Sequence, residues 1–346
     1  MLYLPRHRLD TVERIRKAVL NAMRLELSTL PPYLTALYSI KPERNQQIAK
    51  ILRHVALQEM LHLCLAGNIL NAIGGRCEIA TPKFIPHYPS PLPMKIGAQP
   101  GKPFIVPIEK LSLKLIRKVF MTIEEPEDPL RYENERTRTP AGPLYHTIGE
   151  FYTALGKAIA ARGEPIFTGD PRLQVTGRFL NDQLFAVTDP VTAERAIEII
   201  KHQGEGAPLA PTDLESELAH YYLFAEVANG RRLVKNSKDP GGWSFTGPAI
   251  PFDPEGVYPM VDNPGDVELP HDCAIGMVSD RFDNTFSTLI HALHLTFNGD
   301  PQHFERSIGV MYTLRIVGQQ LMQMKIPGRK VTAGPRWRYV QTAGTA

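Results

Sequence analysis

The longest regular pattern of apolar positions runs from Asn45 to Gly75. Ile48, Leu52, Val55, Glu59, His62, Ala66, Ile69 and Ile73 recur at alternating spacings of four and three, which puts them along one face of a helix. Six of the eight are small or apolar, so the face is expected to be buried, yet its middle carries a carboxylate and an imidazole three residues apart. A buried charge needs a partner or a metal. Glu-x-x-His on the inner face of a bundle helix is the spacing that lets both side chains reach one ion. Gly74 and Gly75 then end the helix.

The same spacing joins Ile15, Val19, Ala22 and Glu26 into a first helix over residues 11–30, with Thr11 as its cap. Pro31 and Pro32 are expected to bend or break it before a further turn or two over 33–40. Only Lys41 to Arg44 then separates it from the next helix, which predicts antiparallel neighbours with Glu26 facing Glu59 and His62. The plainer alternative pairs Glu26 with Arg24 or Arg53. Residues 76–107 form a proline-rich crossover, too rich in proline for a helix or a central strand. Helical spacing returns over 110–123 through Leu111, Leu115, Val119 and Phe120, and the acidic EEPED segment and polar residues 131–139 read as solvated loop.

A helix over 143–162 buries Leu144, Ile148, Phe151, Leu155 and Ile159. Glu150 falls on its second face with Thr147, Ala154 and Ala158, which turns either toward a metal centre or outward. Residues 163–189 are irregular, with short strands around Leu173 to Val175 and Leu184 to Val187. Asp189-Pro190 opens a helix through Ala193, Ala196, Ile197 and Ile200 that ends in HQGEG. There the helix dipole disfavours the charge of Glu205 unless a metal or water offsets it. Thr212 or Asp213 caps a further helix to Asn229, on which Glu217, His220, Phe224 and Val227 share a face and make a second Glu-x-x-His. Residues 230–282 hold no long periodic segment; 284–297 and 301–324 are two C-terminal helices.

The elements add up to an all-α chain forming one domain over 1–346. Its four-helix bundle is expected over about 11–40, 45–74, 143–162 and 191–229, with an extension over about 284–325. Glu26, Glu59, His62, Glu150, Glu217 and His220 match a dimetal-carboxylate bundle, with Glu205 competing with Glu217 for the last carboxylate role. Carboxylate and imidazole donors suit iron or manganese, one or two ions, and open positions on such ions admit dioxygen or peroxide.

Composition narrows the field. A net charge of +3 on 346 residues demands neither a nucleic-acid nor a membrane partner. No stretch approaches the roughly twenty apolar residues of a membrane span. Charges at Arg6, Arg8, Asp10, Glu13 and Arg14 exclude a secretory signal, and three cysteines without C-x-x-C spacing fit a reducing cytoplasm. Nucleotide-binding glycine motifs and the serine-hydrolase G-x-S-x-G do not occur.

MRLELSTLPPYLTALYSI, VALQEMLHLCLAGNILNAIGG, VFMTIEEPE, HQGEG followed by AHYYLF, and the terminal TAGPRW stand in that order. Together they resemble the ferritin-like proteins related to iminophenylpyruvate dimer synthase of violacein and rebeccamycin-type biosynthesis, over almost the whole chain. The resemblance implies a ferritin-like bundle. It implies Glu26 from LELS, Glu59 and His62 from QEMLH, Glu150 from the helix after the crossover, Glu205 from GEG and His220 from AHYY as metal ligands, favouring Glu205 over Glu217. The expected activity is iron-dependent oxidation, hydroxylation or oxidative coupling of a small aromatic or amino-acid-derived substrate, with room for a homo-oligomer. Iron storage or detoxification, and a non-catalytic scaffold, are the alternatives.

Overall fold

Two 27-residue helices, α1 (Val12–Tyr38) and α2 (Gln46–Ala72), form the centre of the computed structural model. It describes residues 9–98, 102–126, 145, 147–177, 182–206, 210–213, 215–239 and 241–341. The two helices run antiparallel. Near one end Arg16 Nε donates to Ile73 O at 2.8 Å, and further along the Thr29 hydroxyl donates to Glu59. Thr11 caps α1 as its sequence predicts, accepting the Arg14 N–H, and Gly74 takes φ +69° just past α2.

The expected break at Pro31-Pro32 does not occur: α1 continues through both prolines to Tyr38. A proline at 32 removes the N–H that would otherwise reach Ser28 O. That carbonyl is taken by the Tyr88 hydroxyl, reaching in from the crossover at 2.7 Å. The crossover therefore repairs the helix it packs on. Tyr88→Phe is expected to cost about 1 kcal/mol, seen as a lower urea midpoint with an unchanged m-value.

After the crossover, which holds the short pair β1 (Ser90–Pro91) and β2 (Ile105–Val106), comes α3. It is α-helical over Leu113–Leu115, opens into a wide π turn over Ile116–Phe120, and closes again over Met121–Ile123. Helix α4 (Ile148–Ala160) is capped by Thr147, whose hydroxyl accepts the Glu150 N–H. Residues 143 and 144 of the predicted helix, and the polar stretch 131–139, lie outside the described residues. Helix α5 (Pro190–Glu205) starts on a reciprocal cap between Asp189 and Thr192. The strands expected between α4 and α5 are absent among the described residues, apart from one Gly177–Leu184 bridge. Side-chain amides hold that chain instead: Asn68 bonds Val175 and Phe185, and Gln174 bonds both backbone groups of Val187.

The helix predicted from Thr212 or Asp213 begins only at His220, giving a short α6 (His220–Asn229). Local bonds win here. Asp213 Oδ1 accepts the N–H groups of Glu215 and Glu217 at 2.9 Å each, and Asp213 N–H donates to Glu217 O at 2.8 Å. An Asp side chain that satisfies nearby amides offers the backbone an alternative to the helix. Strands β3 (Val234–Lys235) and β4 (Trp243–Ser244) form a small pair. Helix α7 (Ala274–Phe297) starts ten residues before the predicted 284, and α8 (His303–Gln323) follows it closely.

The α1–α2 pair is sandwiched. Helices α4, α5 and α6 cover one side, while α7 and α8 pack on the other. The C-terminal strap pins the second layer: Trp337 Nε1 donates to Thr35 Oγ1 at 2.8 Å and its ring packs edge-on to Phe282 and Phe286. No helix among the described residues is long and apolar enough to cross a membrane.

Candidate metal centre

Between α1–α2 and the α3–α6 layer, the chain buries three carboxylates and two imidazoles that the long helices alone could not bring together. Glu26 comes from α1, Glu59 and His62 from α2, Glu124 from the end of α3 and His220 from the first turn of α6; none is more than 3 % exposed. They form two groups, Glu26–Glu59–His62 and Glu59–Glu124–His220, in each of which the donor atoms lie within 4.8 Å of one another. Glu59 belongs to both. Among the described residues no Lys or Arg forms an ion pair with these carboxylates. Arg24, the plain partner for Glu26, donates instead to Phe84 O at 2.9 Å.

Each imidazole is oriented by a glutamine. His62 Nε2 lies 2.9 Å from Gln203 Oε1, and the Gln203 amide nitrogen donates to Gln183 at 2.8 Å, which turns its oxygen toward the histidine. His220 Nε2 meets Gln58 Oε1 at 2.9 Å. A ring that donates from Nε2 presents the lone pair of Nδ1, and that is the nitrogen each histidine turns to the carboxylates. His62 Nδ1 is 3.6 Å from Glu26 and 3.8 Å from Glu59. His220 Nδ1 is 3.0 Å from Glu59 and 3.5 Å from Glu124, yet has hydrogen-bond geometry to neither. A fully buried nitrogen without a hydrogen-bond partner, facing two carboxylates, fits a metal ligand. The two rings stack at 5.5 Å.

The far carboxylate oxygens are held by hydroxyls. Tyr152 donates to Glu26 Oε1 and Tyr33 to Glu124 Oε1, each at 2.5 Å, while Thr29 donates to Glu59 Oε2. Burial, and then the carboxylate each one faces, raises both tyrosines well above the usual phenol range, so they remain donors. Tyr33, Phe120 and Phe224 pack ring against ring and wall the Glu124 side.

Other sequence candidates sit elsewhere. Glu150 is half-buried in the first turn of α4, and the side chain this helix sends to the centre is Tyr152, two residues on. Glu205 closes α5 with its carboxylate on the start of α4, accepting the Gly149 N–H at 2.5 Å. Its neighbours in the same turn do face the centre: Gln203 holds His62, and a Cβ built on Gly204 would lie 3.6 Å from Glu124. Glu217 precedes α6, is half exposed and lies 3.6 Å from His54. It shares no helical face with His220. Glu124, expected in solvated loop, is one of the five, because α3 carries it inward. The spacing from Phe120 to Glu124 was the available signal, since the Glu124 N–H closes on Phe120 O at 3.1 Å.

Crowding leaves a protonation signature. Burial, and next the Glu124 charge, push Glu59 up to about 7. Burial alone would lower His220, but Glu124 and Glu59 outweigh it and raise it to about 10. Both groups hold protons more tightly folded than unfolded. The metal-free protein therefore keeps their stabilising contribution at low pH, losing that of Glu59 as pH climbs toward 7 and that of His220 as pH passes through 10. A metal competes for the same positions, so its affinity rises over the interval in which the free protein weakens. Thermal melts between about pH 5 and about pH 9 should show a falling Tm without metal and a growing Tm gain with manganous ion. A gain that is flat with pH would refute the assignment.

The comparisons agree with this architecture. The ferritin-like family model matches residues 19–229, which span α1 to α6 and all five side chains of the centre. The crystal structure of a ferritin-like protein from Caulobacter vibrioides superposes with a TM-score of 0.60 at 23 % identity, covering 95 % of this chain and 99 % of that one. Comparison with curated proteins gives no match. With a family match over more than half its length, and with an all-α bundle whose buried carboxylates and histidines stand in groups able to hold a metal, the chain belongs to the ferritin-like family.

Proposed function

We propose that the chain is a non-haem iron oxidoreductase of natural-product biosynthesis, working in the cytoplasm on a small aromatic or amino-acid-derived substrate. The observation that carries this reading is the position of Glu59, shared by two three-residue groups each of which could hold an ion. Glu26 and His62 would complete one position, Glu124 and His220 the other. Iron held there supplies the redox chemistry and the activation of dioxygen or peroxide. The chain's own residues do the rest. Gln203 and Gln58 hold the imidazole tautomers, Tyr152, Thr29 and Tyr33 hold the carboxylates, and the Tyr33–Phe120–Phe224 wall excludes water from the Glu124 side. Glu205 joins the set if its carboxylate leaves Gly149, since it lies in the turn that already carries Gln203 and Gly204 against the centre. Manganese fits the same donors.

The test separates an enzyme from a store. Iron-loaded protein is supplied with dioxygen and a panel of aromatic amino acids and their imino or keto acids, and oxygen uptake is followed beside His62→Ala. Uptake that depends on an organic substrate and is lost in the variant supports the oxidoreductase. Uptake driven only by added ferrous iron, by a particle of cage size, would establish storage instead.

A further inference from the structure

On the opposite side of α1–α2 from the metal centre lies a second cavity, of about 260 Å³. Its floor is apolar: Leu27 and Leu30 from α1, Met60 from α2, Phe286 and Leu293 from α7, and Trp337 from the C-terminal strap. Leu27 and Met60 each follow a centre residue, Glu26 and Glu59, by one position, which turns them about 100° round their helices. Cavity and centre therefore share walls without sharing lining side chains. The space equals the liquid volume of about nine waters, yet a lining so poor in polar groups gives water few partners.

Four polar side chains break that lining: Arg53, Arg315, Tyr38 and the largely exposed Tyr312. Arg53 of α2 and Arg315 of α8 are both exposed and stand together at the mouth, where they also line the adjoining surface cleft with Lys41, Arg44 and Lys50. Neither guanidinium has an ion-pair or hydrogen-bond partner among the described residues, whereas Arg44 close by is paired with Asp253. Tyr38, only 3 % exposed, lines the wall, and its hydroxyl makes no hydrogen bond with any described residue. An apolar chamber with an unbonded phenol in its wall and two unpaired guanidinium groups at its mouth has the polarity of an organic acid in negative: apolar body inward, carboxylate outward.

We infer that this cavity binds an amphipathic monoanion, an alkyl or aryl carboxylate of about a dozen non-hydrogen atoms, with Arg53 and Arg315 on the carboxylate and Tyr38 beside it. The site does not depend on the metal centre and stands whether or not that centre binds iron. It offers the bundle a ligand-dependent brace between α1–α2 and α7–α8, the two layers it separates.

Trp337 reports on the site directly. The chain has two tryptophans, so Trp243→Phe leaves the cavity residue as sole emitter. That protein is titrated with decanoate, 4-phenylbutanoate and, as the uncharged control, decanol, all below any micelle concentration. The carboxylates should give a saturable change, with decanol weaker by about tenfold or more. Preference for the alkyl or the aryl acid then identifies which body the chamber fits. Adding Arg53→Gln and Arg315→Gln should weaken the preferred acid by about tenfold or more. Both positions are exposed, so folding and metal content stay unchanged. Decanol binding as tightly as decanoate, no effect of the double substitution, or no saturable signal would each overturn the assignment. So would a signal that follows protein concentration with a doubled mass, which would make the face a contact between two copies of the chain.

Discussion

Protein carrying Glu59→Gln, purified from iron-supplemented cells, is expected to contain no stoichiometric iron, where the unsubstituted chain is expected to retain about two per chain. The expectation follows from Glu59 standing in both three-residue groups: one neutral amide removes a carboxylate from each position at once. The isostere keeps the volume and can still accept the Thr29 hydroxyl. Its amide can also donate to the unpartnered His220 Nδ1, so the variant should stay folded. Metal content and fold thus come apart in one measurement. Thermal stability gives the second readout. A ligand at a thousand times its dissociation constant adds about 4 kcal/mol to the folded state, and that gain should vanish in Glu59→Gln while the metal-free melting curves stay close. Two irons retained in the variant would mean that the shared carboxylate is not a ligand, and the dinuclear reading would fall.

The parts of this centre that the sequence shows are those written on unbroken helices. Glu59 and His62 lie within one 27-residue helix whose apolar stripe is continuous, so their inward direction follows from spacing alone. Glu26 is almost as plain, although the prolines after it suggest a break. One carbonyl that Pro32 leaves without its helical partner, Ser28 O, is taken by the Tyr88 hydroxyl, sixty residues along the chain, and no local rule includes it. His220 is visible for an incomplete reason. The apparent second Glu-x-x-His counts Glu217 as helical, whereas Asp213 ties that segment into a turn and α6 opens on the histidine itself. Glu150 illustrates the limit of a face assignment: α4 does reach the centre, but through Tyr152. Glu124 escapes for two physical reasons. The π turn at Ile116–Phe120 breaks the 3.6-residue period just before it, and an acidic run at a helix end resembles solvated loop whenever its tertiary neighbours are unknown. The bundle is thus legible from periodicity, while the Glu59–Glu124–His220 group is legible only from contacts between residues far apart in sequence.

Glu124→Gln is the substitution that decides whether α3 supplies that second position. It should leave the Glu26–Glu59–His62 group intact and weaken the other, so bound iron falls from about two to about one per chain. Removing outer partners of metal ligands commonly weakens binding about 10–100-fold, and loss of a ligand itself should cost at least as much. The Tyr33 hydroxyl, which donates to Glu124 Oε1, can donate to the amide oxygen of the isostere, so the Tyr33–Phe120–Phe224 wall should survive. Glu217→Gln is the matched control. Its carboxylate is half exposed and, among the described residues, forms an ion pair only with His54, at 3.6 Å, so iron should remain at two. The pair of variants separates the two candidate origins of the third carboxylate. If Glu217→Gln lost an ion and Glu124→Gln did not, the repeated Glu-x-x-His would be the true template and α6 would have to extend by a turn when metal binds. If Glu124→Gln alone loses one ion, a ligand of the second position stands at the end of α3, outside the four long bundle segments. The chain between α2 and α4 would then cover Ser28 O through Tyr88 and also supply one of the five centre side chains, Glu124, coupling its integrity to the number of ions the protein holds.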